Sequence, residues 1–314
     1  MKDKKLLILF VALLVIYALT KVLDVKKDRS FDTDLVKIDT ASVTRIVVYP
    51  KADDFAEVTL TRENNGWIVT KGGVSTKAMP DRIQSVLGQL ALIKTKRIVA
   101  KKPEKHAEYE VEQGKGTRIQ VWAGDKLLRD FIIGRFNFNQ QTRQATSFVR
   151  LTDQDEIFAV DGFLSMSLGQ GFDSYRNKKL ARLTPADVTG FDVQLRDVSF
   201  QIGKTPEGWK MNESTPVDST EVQAWLSTLA GLNGSAFADD FDPARADDLR
   251  TDVVTVHANN QSEPLRLECF TDSTRTPPFI IHSNLNPDNW FESDSTGVYK
   301  KIFDDLRGFL SDIE

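Results

Sequence analysis

Two stretches of the sequence have the pattern of a strand, a tight turn and a Gly-Trp pair: "VTLTRENNGWIV" at residues 58–69 and "VSFQIGKTPEGWKM" at residues 198–211. In both stretches apolar and polar residues alternate with period two, and the turn leads into a strand that carries Trp67 or Trp209. This pattern predicts one antiparallel hairpin in each half of the chain. It also predicts that the two tryptophans are large core anchors on equivalent strands.

The elements around the two hairpins also repeat in order. An alternating stretch precedes each hairpin, "VTRIVVYP" at residues 43–50 and "VTGFDVQL" at residues 188–195. Four apolar residues at helical spacing follow each hairpin, at a constant offset of 139 residues: Ile83, Val86, Leu87 and Leu90, then Val222, Trp225, Leu226 and Leu229. Because strand, hairpin and helix recur in one order, we predict an internal duplication.

The expected fold class is α+β, with two duplicated domains of antiparallel β-hairpins and packed helices, preceded by one N-terminal transmembrane helix. The expected segments are a signal anchor at residues 1–25, a linker at 26–40, a first repeat domain at 41–183 and a second at 184–314.

The N-terminus carries three lysines and then an apolar run over residues 6–23, interrupted only by Thr20 and Lys21. Eighteen helical residues span about 27 Å, enough for a bilayer core when Lys21 reaches outward. The alternative is a cleaved signal peptide, but bulky or charged residues follow the run and no small-residue cleavage site is evident. We predict an uncleaved membrane anchor, with the body outside the cytoplasm. Its lipid-facing residues include Leu6, Leu9, Leu13, Ile16 and Leu19.

Charge and cysteine content exclude some partners. Residues 1–29 contain seven Lys/Arg and three Asp, so the remaining 34 basic and 42 acidic residues give the body a net charge of −8. An acidic body is not expected to bind nucleic acid. Cys269 is the single cysteine, which excludes an internal disulfide and makes a zinc site improbable.

No motif in the chain predicts a catalytic, cofactor or metal site. The three histidines, His106, His257 and His282, stand in separate contexts without a partnered nucleophile. The glycine-containing stretch at residues 113–117 lacks the spacing of a phosphate-binding loop.

Two acidic stretches are interpreted as solvated loops, "ADDFDPARADD" at residues 238–248 and "NLNPDNWFESD" at residues 284–294. The second begins like a calcium loop, with Asn284, Asn286 and Asp288 at alternate positions. Asn289 stands where such a loop needs glycine, so calcium is not expected.

A basic stretch, "SYRNKKLARL" at residues 174–183, lies between the two repeats. One interpretation is contact with an acidic partner surface, and the other is a helix end with a solvated charged face. The candidate partner-contact residues are Arg176, Lys178, Lys179 and Arg182.

Several short motifs in one order resemble a bacterial family known as domain of unknown function 4340, from about Val43 onward. They are "VTRIVVYP", the Gly-Trp strand, "DRIQSVLGQLALIKTKRIV", "EYEVE", "FIIG", "SFVRL", "IFAVDG" and "SYRNKKL". The resemblance implies an association with ABC transporters of the gliding-motility type and with an extracytoplasmic auxiliary subunit. It implies no catalytic residues.

We therefore expect a non-enzymatic, membrane-anchored periplasmic accessory subunit that contacts the membrane and ATPase subunits of an ABC transporter, the auxiliary subunit and the bilayer. The alternative is a cell-envelope module that binds glycan or lipid between the repeat domains with tryptophans such as Trp122 or Trp290. A third possibility is a hydrolase, which requires two carboxylates from different strands to converge in one pocket.

Overall fold

The computed structural model describes residues 33–311 together with Val15 and Tyr17. The residues predicted to face lipid lie outside this part of the chain: Leu6, Leu9, Leu13, Ile16 and Leu19. Among the residues that are described, no helix is both long enough and apolar enough to cross a bilayer. The N-terminal anchor therefore stays a prediction.

The first half of the described chain is built mainly of strands. They are β1 (Asp34–Lys37), β2 (Arg45–Tyr49), β3 (Val58–Glu63), β4 (Gly66–Lys71), β5 (Val74–Lys77), β6 (Leu92–Ala100), β7 (Thr117–Ala123), β8 (Lys126–Asn139), β9 (Gln144–Leu151) and β10 (Ile157–Asp161). Its helices are α1 (Pro80–Ala91) and the short α2 (Leu164–Leu168).

The second half is also mainly sheet. Its strands are β11 (Val188–Gln194), β12 (Ser199–Thr205), β13 (Gly208–Met211), β14 (Thr215–Val217), β15 (Ala236–Phe237), β16 (Arg250–Ala258), β17 (Leu265–Thr271), β18 (Phe279–Ser283) and β19 (Phe291–Ser293). Its helices are α3 (Ser219–Leu229), α4 (Ala246–Leu249) and α5 (Gly308–Ser311), with a π-helical turn at Lys300–Asp304. The α+β expectation holds only coarsely, because antiparallel sheet dominates and the helices are few.

The chain divides into two compact units. The first comprises the residues up to Glu57 and Gln84–Gly171, and the second comprises Val58–Ile83 and the residues from Phe172 onward. Residues 58–83 therefore group with the second half of the chain. The predicted domains at 41–183 and 184–314 follow the sequence repeat and do not coincide with these units.

Strand order repeats within the two units. The first unit contains the order β1-β6-β10-β9-β8-β7-β2. The second contains the antiparallel meander β3-β4-β5 and a sheet of order β14-β13-β12-β11-β16-β17-β18-β19-β15. The strands can be matched by their position in the repeat. The order β6-β10-β9-β8-β7-β2 of the first repeat corresponds to β15-β19-β18-β17-β16-β11 of the second. The meander β3-β4-β5 corresponds to β12-β13-β14. The same order occurs twice, as the predicted duplication requires.

The repeated Gly-Trp pair has a physical explanation in the turn and the strand. Gly66 has φ 133° and Gly208 has φ 136°, a region in which a residue with a Cβ atom is strained. Each glycine ends its turn, and the next residue, Trp67 or Trp209, is buried. The prediction that both tryptophans are core anchors is confirmed.

Helix α3 forms much of the core of the second unit. Its four predicted apolar residues are all buried: Val222, Trp225, Leu226 and Leu229. The ring of Phe191 lies 4.7 Å from that of Trp225 and 6.2 Å from that of Trp209, which joins the helix to the sheet. Asp218 caps the helix by accepting a 2.6 Å hydrogen bond from the backbone N–H of Thr220.

We expect Trp209→Ala to lower the free energy of unfolding by about 3–5 kcal/mol, because the ring is buried and leaves a cavity. Lys210→Ala is the matched control, since Lys210 is the next residue of the same strand and pairs with Glu207 at the surface. Its cost should stay below about 1 kcal/mol. Urea unfolding of both variants measures the difference, and equal losses would contradict the anchor role of Trp209.

Candidate partner-contact segment

The basic segment, residues 174–183, follows a 3-10 turn at Phe172–Ser174 and is extended rather than helical. Arg176 makes an isolated antiparallel bridge with Ala78, and Lys179 makes one with Asn233. The interpretation as a helix end is therefore wrong. These bridges hold the backbone of the segment on both sides. The fixed backbone sets the positions from which the side chains extend.

Arg176 lies in the interior and is only 2% exposed. Its Nη1 and Nη2 atoms donate to the two carboxylate oxygens of Asp239 at 2.8 and 2.6 Å, and Nη2 also donates to Asn289 Oδ1 at 3.1 Å. The guanidinium carbon lies 3.5 Å from the ring centre of Phe237. Both terminal amino groups and one face of the guanidinium have internal partners, and the Nε–H group is buried without a partner among the described residues. Because so little of Arg176 is exposed, the prediction that it contacts a partner is wrong.

Two buried asparagines continue this network to the backbone of the basic segment. Asn289 Nδ2 donates to Asn286 Oδ1 at 2.8 Å. Asn286 Nδ2 donates to the carbonyl oxygen of Asn177 at 2.7 Å and to that of Lys179 at 3.3 Å. The expectation of a solvated loop is therefore wrong for Asn286 and Asn289. Among the described residues, no group of three or more His, Cys, Asp and Glu could hold a metal ion.

The remaining predicted contact residues lie nearer the surface. Lys179 and Arg182 are exposed, and Lys178 is half-buried with its Nζ atom 5.5 Å from the ring centre of Phe237. Over residues 33–311, none of these three cations forms an ion pair with an acidic side chain. The network of Arg176, Asp239, Asn286 and Asn289 thus fixes a segment that presents unpaired positive charge on an acidic body.

Sequence reasoning recognised the basic stretch but missed what holds it. Asp239 is 63 residues from Arg176 and Asn289 is 113 residues away, so no local spacing connects them. The two acidic stretches interpreted as solvated loops are the ones that supply these partners. Their proximity to the basic stretch arises only from the fold.

The tryptophans considered for a glycan or lipid site are covered by protein side chains. The guanidinium of Arg45 lies 4.7 Å above the ring centre of Trp122. Trp290 is stacked on His282 at 4.2 Å and packs against Phe241 and Phe270 at 4.7 and 5.0 Å. These contacts take up one face of the Trp122 ring and much of the surroundings of the Trp290 ring, which leaves less ring surface to stack on a sugar.

A groove in the first unit has a volume of about 790 Å³. Its charged lining residues are Asp34, Lys101, Arg129, Asp130, Asp153 and Glu156. Asp130 accepts hydrogen bonds from Arg118 at 2.6 Å and Gln120 at 3.0 Å. Burial raises the pKa of Asp130, but these hydrogen bonds outweigh it and leave the pKa below its usual value. Asp130 is held as a carboxylate and not as a proton donor.

The histidines serve separate local contacts. His106 Nε2 lies 2.9 Å from the carbonyl oxygen of Asp155, and His257 Nε2 lies 2.7 Å from Asp192 Oδ2. His282 Nδ1 lies 3.7 Å from Glu268 Oε2. Glu268 Oε1 also forms ion pairs with Arg266 Nη2 at 2.8 Å and with Arg250 Nη1 at 3.4 Å. His282, together with Arg266 and Arg250, lowers the pKa of Glu268 to about 2 against the opposing effect of burial.

Breaking the internal ion pair should destabilise the protein. We expect Arg176→Met to cost about 3 kcal/mol, near the lower end for a broken buried pair because Asp239 is 37% exposed. Adding Asp239→Leu should recover part of that loss, since the carboxylate is no longer left unpaired. Lys179→Met is the control on the same segment and should change stability by less than about 0.5 kcal/mol. Thermal unfolding measures all three, and an additive double variant would refute the pairing.

The charges around Glu268 predict that the free energy of unfolding depends on pH. The folded-state pKa of about 2 is below the ordinary 4.5, so the stabilisation is present above pH 4.5 and is lost as the pH falls toward 2. We expect Glu268→Gln to lower the free energy of unfolding by at most about 3 kcal/mol at neutral pH. The two proteins should converge near pH 2, as followed by urea unfolding across pH. Glu263→Gln, in an exposed loop, is the control, and a constant difference between Glu268→Gln and the unaltered protein would contradict the assignment.

The family model described as "Domain of unknown function (DUF4340)" matches residues 67–252. The match begins at the first repeated tryptophan and includes the basic segment and the second Gly-Trp strand. No curated protein and no solved structure matches the chain. Since the matched residues make up more than half of the sequence, the chain belongs to the DUF4340 family.

Proposed function

We propose that this protein is a non-enzymatic accessory subunit of an ABC transporter complex, anchored in the bacterial inner membrane with its body in the periplasm. The observation that carries the proposal is the basic segment. Among residues 33–311, no acidic side chain pairs with Lys178, Lys179 or Arg182, and their backbone is fixed from within by a buried polar network.

The energetics of the network favour a binding role for the segment. Removing a guanidinium from water is costly, and Arg176 offsets that cost through Asp239, Asp173 and Asn289 and through the rings of Phe237 and Phe172. Holding cations in fixed positions also reduces the entropy lost when a partner binds. An acidic partner surface would be attracted by these charges, and their arrangement would set its orientation.

Strand addition receives less support than charge contact. The edge strands of the second sheet are β14, with three residues including Pro216, and β15, with two residues. Short edges and an edge proline are features that prevent pairing with another chain. The partner subunits themselves are proposed from the family resemblance, and the membrane attachment from the apolar run at residues 6–23.

Charge reversal tests the role of the segment. We expect Lys178→Glu, Lys179→Glu and Arg182→Glu together to reduce co-purification of the ATPase and polytopic subunits by at least about tenfold after gentle detergent extraction. The matched control is Lys101→Glu, Lys102→Glu and Lys126→Glu, which changes the net charge equally at exposed sites. Equal effects would contradict a specific contact. Recovery of the unaltered protein alone would contradict the subunit role.

Changing the anchor tests attachment separately. Leu13→Arg places a charge in the middle of the apolar run and should release the protein from its complex without altering the thermal unfolding of the body. Retained co-purification would count against the anchor.

A further inference from the structure

The hairpin formed by β8 and β9 extends beyond its buried part as residues 135–144, called here the extended hairpin. The strands remain paired to its end, where Asn139 is opposite Gln144. Asn139 Oδ1 accepts hydrogen bonds from the backbone N–H groups of Gln141 and Thr142 at 2.9 and 3.1 Å, which closes the turn. All ten residues are exposed, although the hairpin is regular.

Apolar side chains cluster on this hairpin and on the start of α2. The ring centre of Phe163 lies 5.0 Å from that of Phe136 and 5.7 Å from that of Phe138. The cluster consists of exposed residues, Phe136 at 42%, Phe138 at 43%, Phe163 at 37% and Met166 at 57%. Contiguous exposed aromatic side chains of this kind mark an interaction surface.

The hairpin carries only positive charge, and Glu110 and Asp161, which lie near the cluster, are each paired with a lysine, Lys51 and Lys96. Residues 131–152 contain Arg135, Arg143 and Arg150 and no acidic residue, in a chain whose body is acidic. Within the described chain, Arg135 and Arg143 form no ion pair, and Arg135 lies 5.2 Å from the ring centre of Tyr109. Aromatic side chains combined with arginine suit the boundary between anionic headgroups and acyl chains.

From these contacts we propose that the extended hairpin, with Phe163 and Met166, inserts into the headgroup region of a bilayer containing anionic lipid. Phe163 covers part of one face of the hairpin, and a bilayer would contact the side chains of residues 135–144 that stay exposed around it. The inference rests on the proposed membrane anchor. The ten steps from Leu23 to Thr33 span at most about 36 Å, so the anchor would keep the first unit close to the membrane.

A fluorescent label on the hairpin tests insertion directly. Gln140→Cys keeps both phenylalanines and both arginines of the hairpin, and the native Cys269 is fully buried. The full-length protein carries an environment-sensitive dye at this position and is reconstituted into phosphatidylcholine vesicles with or without phosphatidylglycerol. The vesicles contain nitroxide lipids labelled near the headgroup or deep in the acyl chain. Asp125→Cys, in the exposed turn between β7 and β8, is the matched control.

We expect nitroxides near the headgroup to quench the dye at position 140 more than deep ones, in keeping with a depth of about 5–10 Å. Phosphatidylglycerol should increase the quenching, and the dye at position 125 should show little. Phe136→Ser with Phe138→Ser should remove the quenching at position 140, and Arg143→Glu should remove the effect of phosphatidylglycerol.

Flotation of the same vesicles separates failure of this inference from failure of the proposed function. If the protein floats but position 140 is quenched no more than position 125, insertion of the hairpin is refuted and the anchor stands. If the protein neither floats nor is quenched, both proposals fall. A change in the dye that needs native membrane proteins, and does not occur in lipid alone, would assign the surface to a protein partner and overturn the lipid assignment.

Discussion

The buried pairing of Arg176 with Asp239 is the interaction on which the candidate site depends. A guanidinium taken out of water is unfavourable unless its charge and donors are compensated, and here carboxylates, an amide oxygen and an aromatic face partner all of it except the Nε–H group. The asparagines then connect that charge to the backbone beside Lys179. One ionic contact in the interior thereby determines where the exposed cations stand.

Periodicity was sufficient to predict much of the fold. The alternating stretches became strands, the apolar face of α3 is buried as predicted, and both repeated tryptophans lie in the core. These features depend on residues close in sequence. The balance between helix and sheet was less predictable, because many short strands such as β14 and β15 carry no clear period. The partners of Arg176 could not be predicted from the sequence, since only tertiary packing brings residues so distant in sequence together.

The two repeats share their strand order and differ in the lengths of particular strands. Strand β8 has 14 residues, whereas its counterpart β17 has seven. The extra length is the part that carries Phe136, Phe138 and the turn arginine. The end of the first repeat likewise continues into the basic segment, residues 174–183. The common framework supplies the core, and the surfaces proposed to bind partners or lipid lie where the copies differ.

The discontinuous first and second units have a consequence for the order in which the chain can assemble. The meander of β3, β4 and β5 belongs to a unit whose other residues begin at Phe172, and a gap of 88 residues, Gln84–Gly171, lies between the two parts. Ribosomes add about 5–20 residues per second, so that gap corresponds to about 4–18 s of synthesis. A hairpin forms in about 1–10 μs. The strand of Trp67 can therefore pair with β3 and β5 seconds before the rest of its unit has been synthesised.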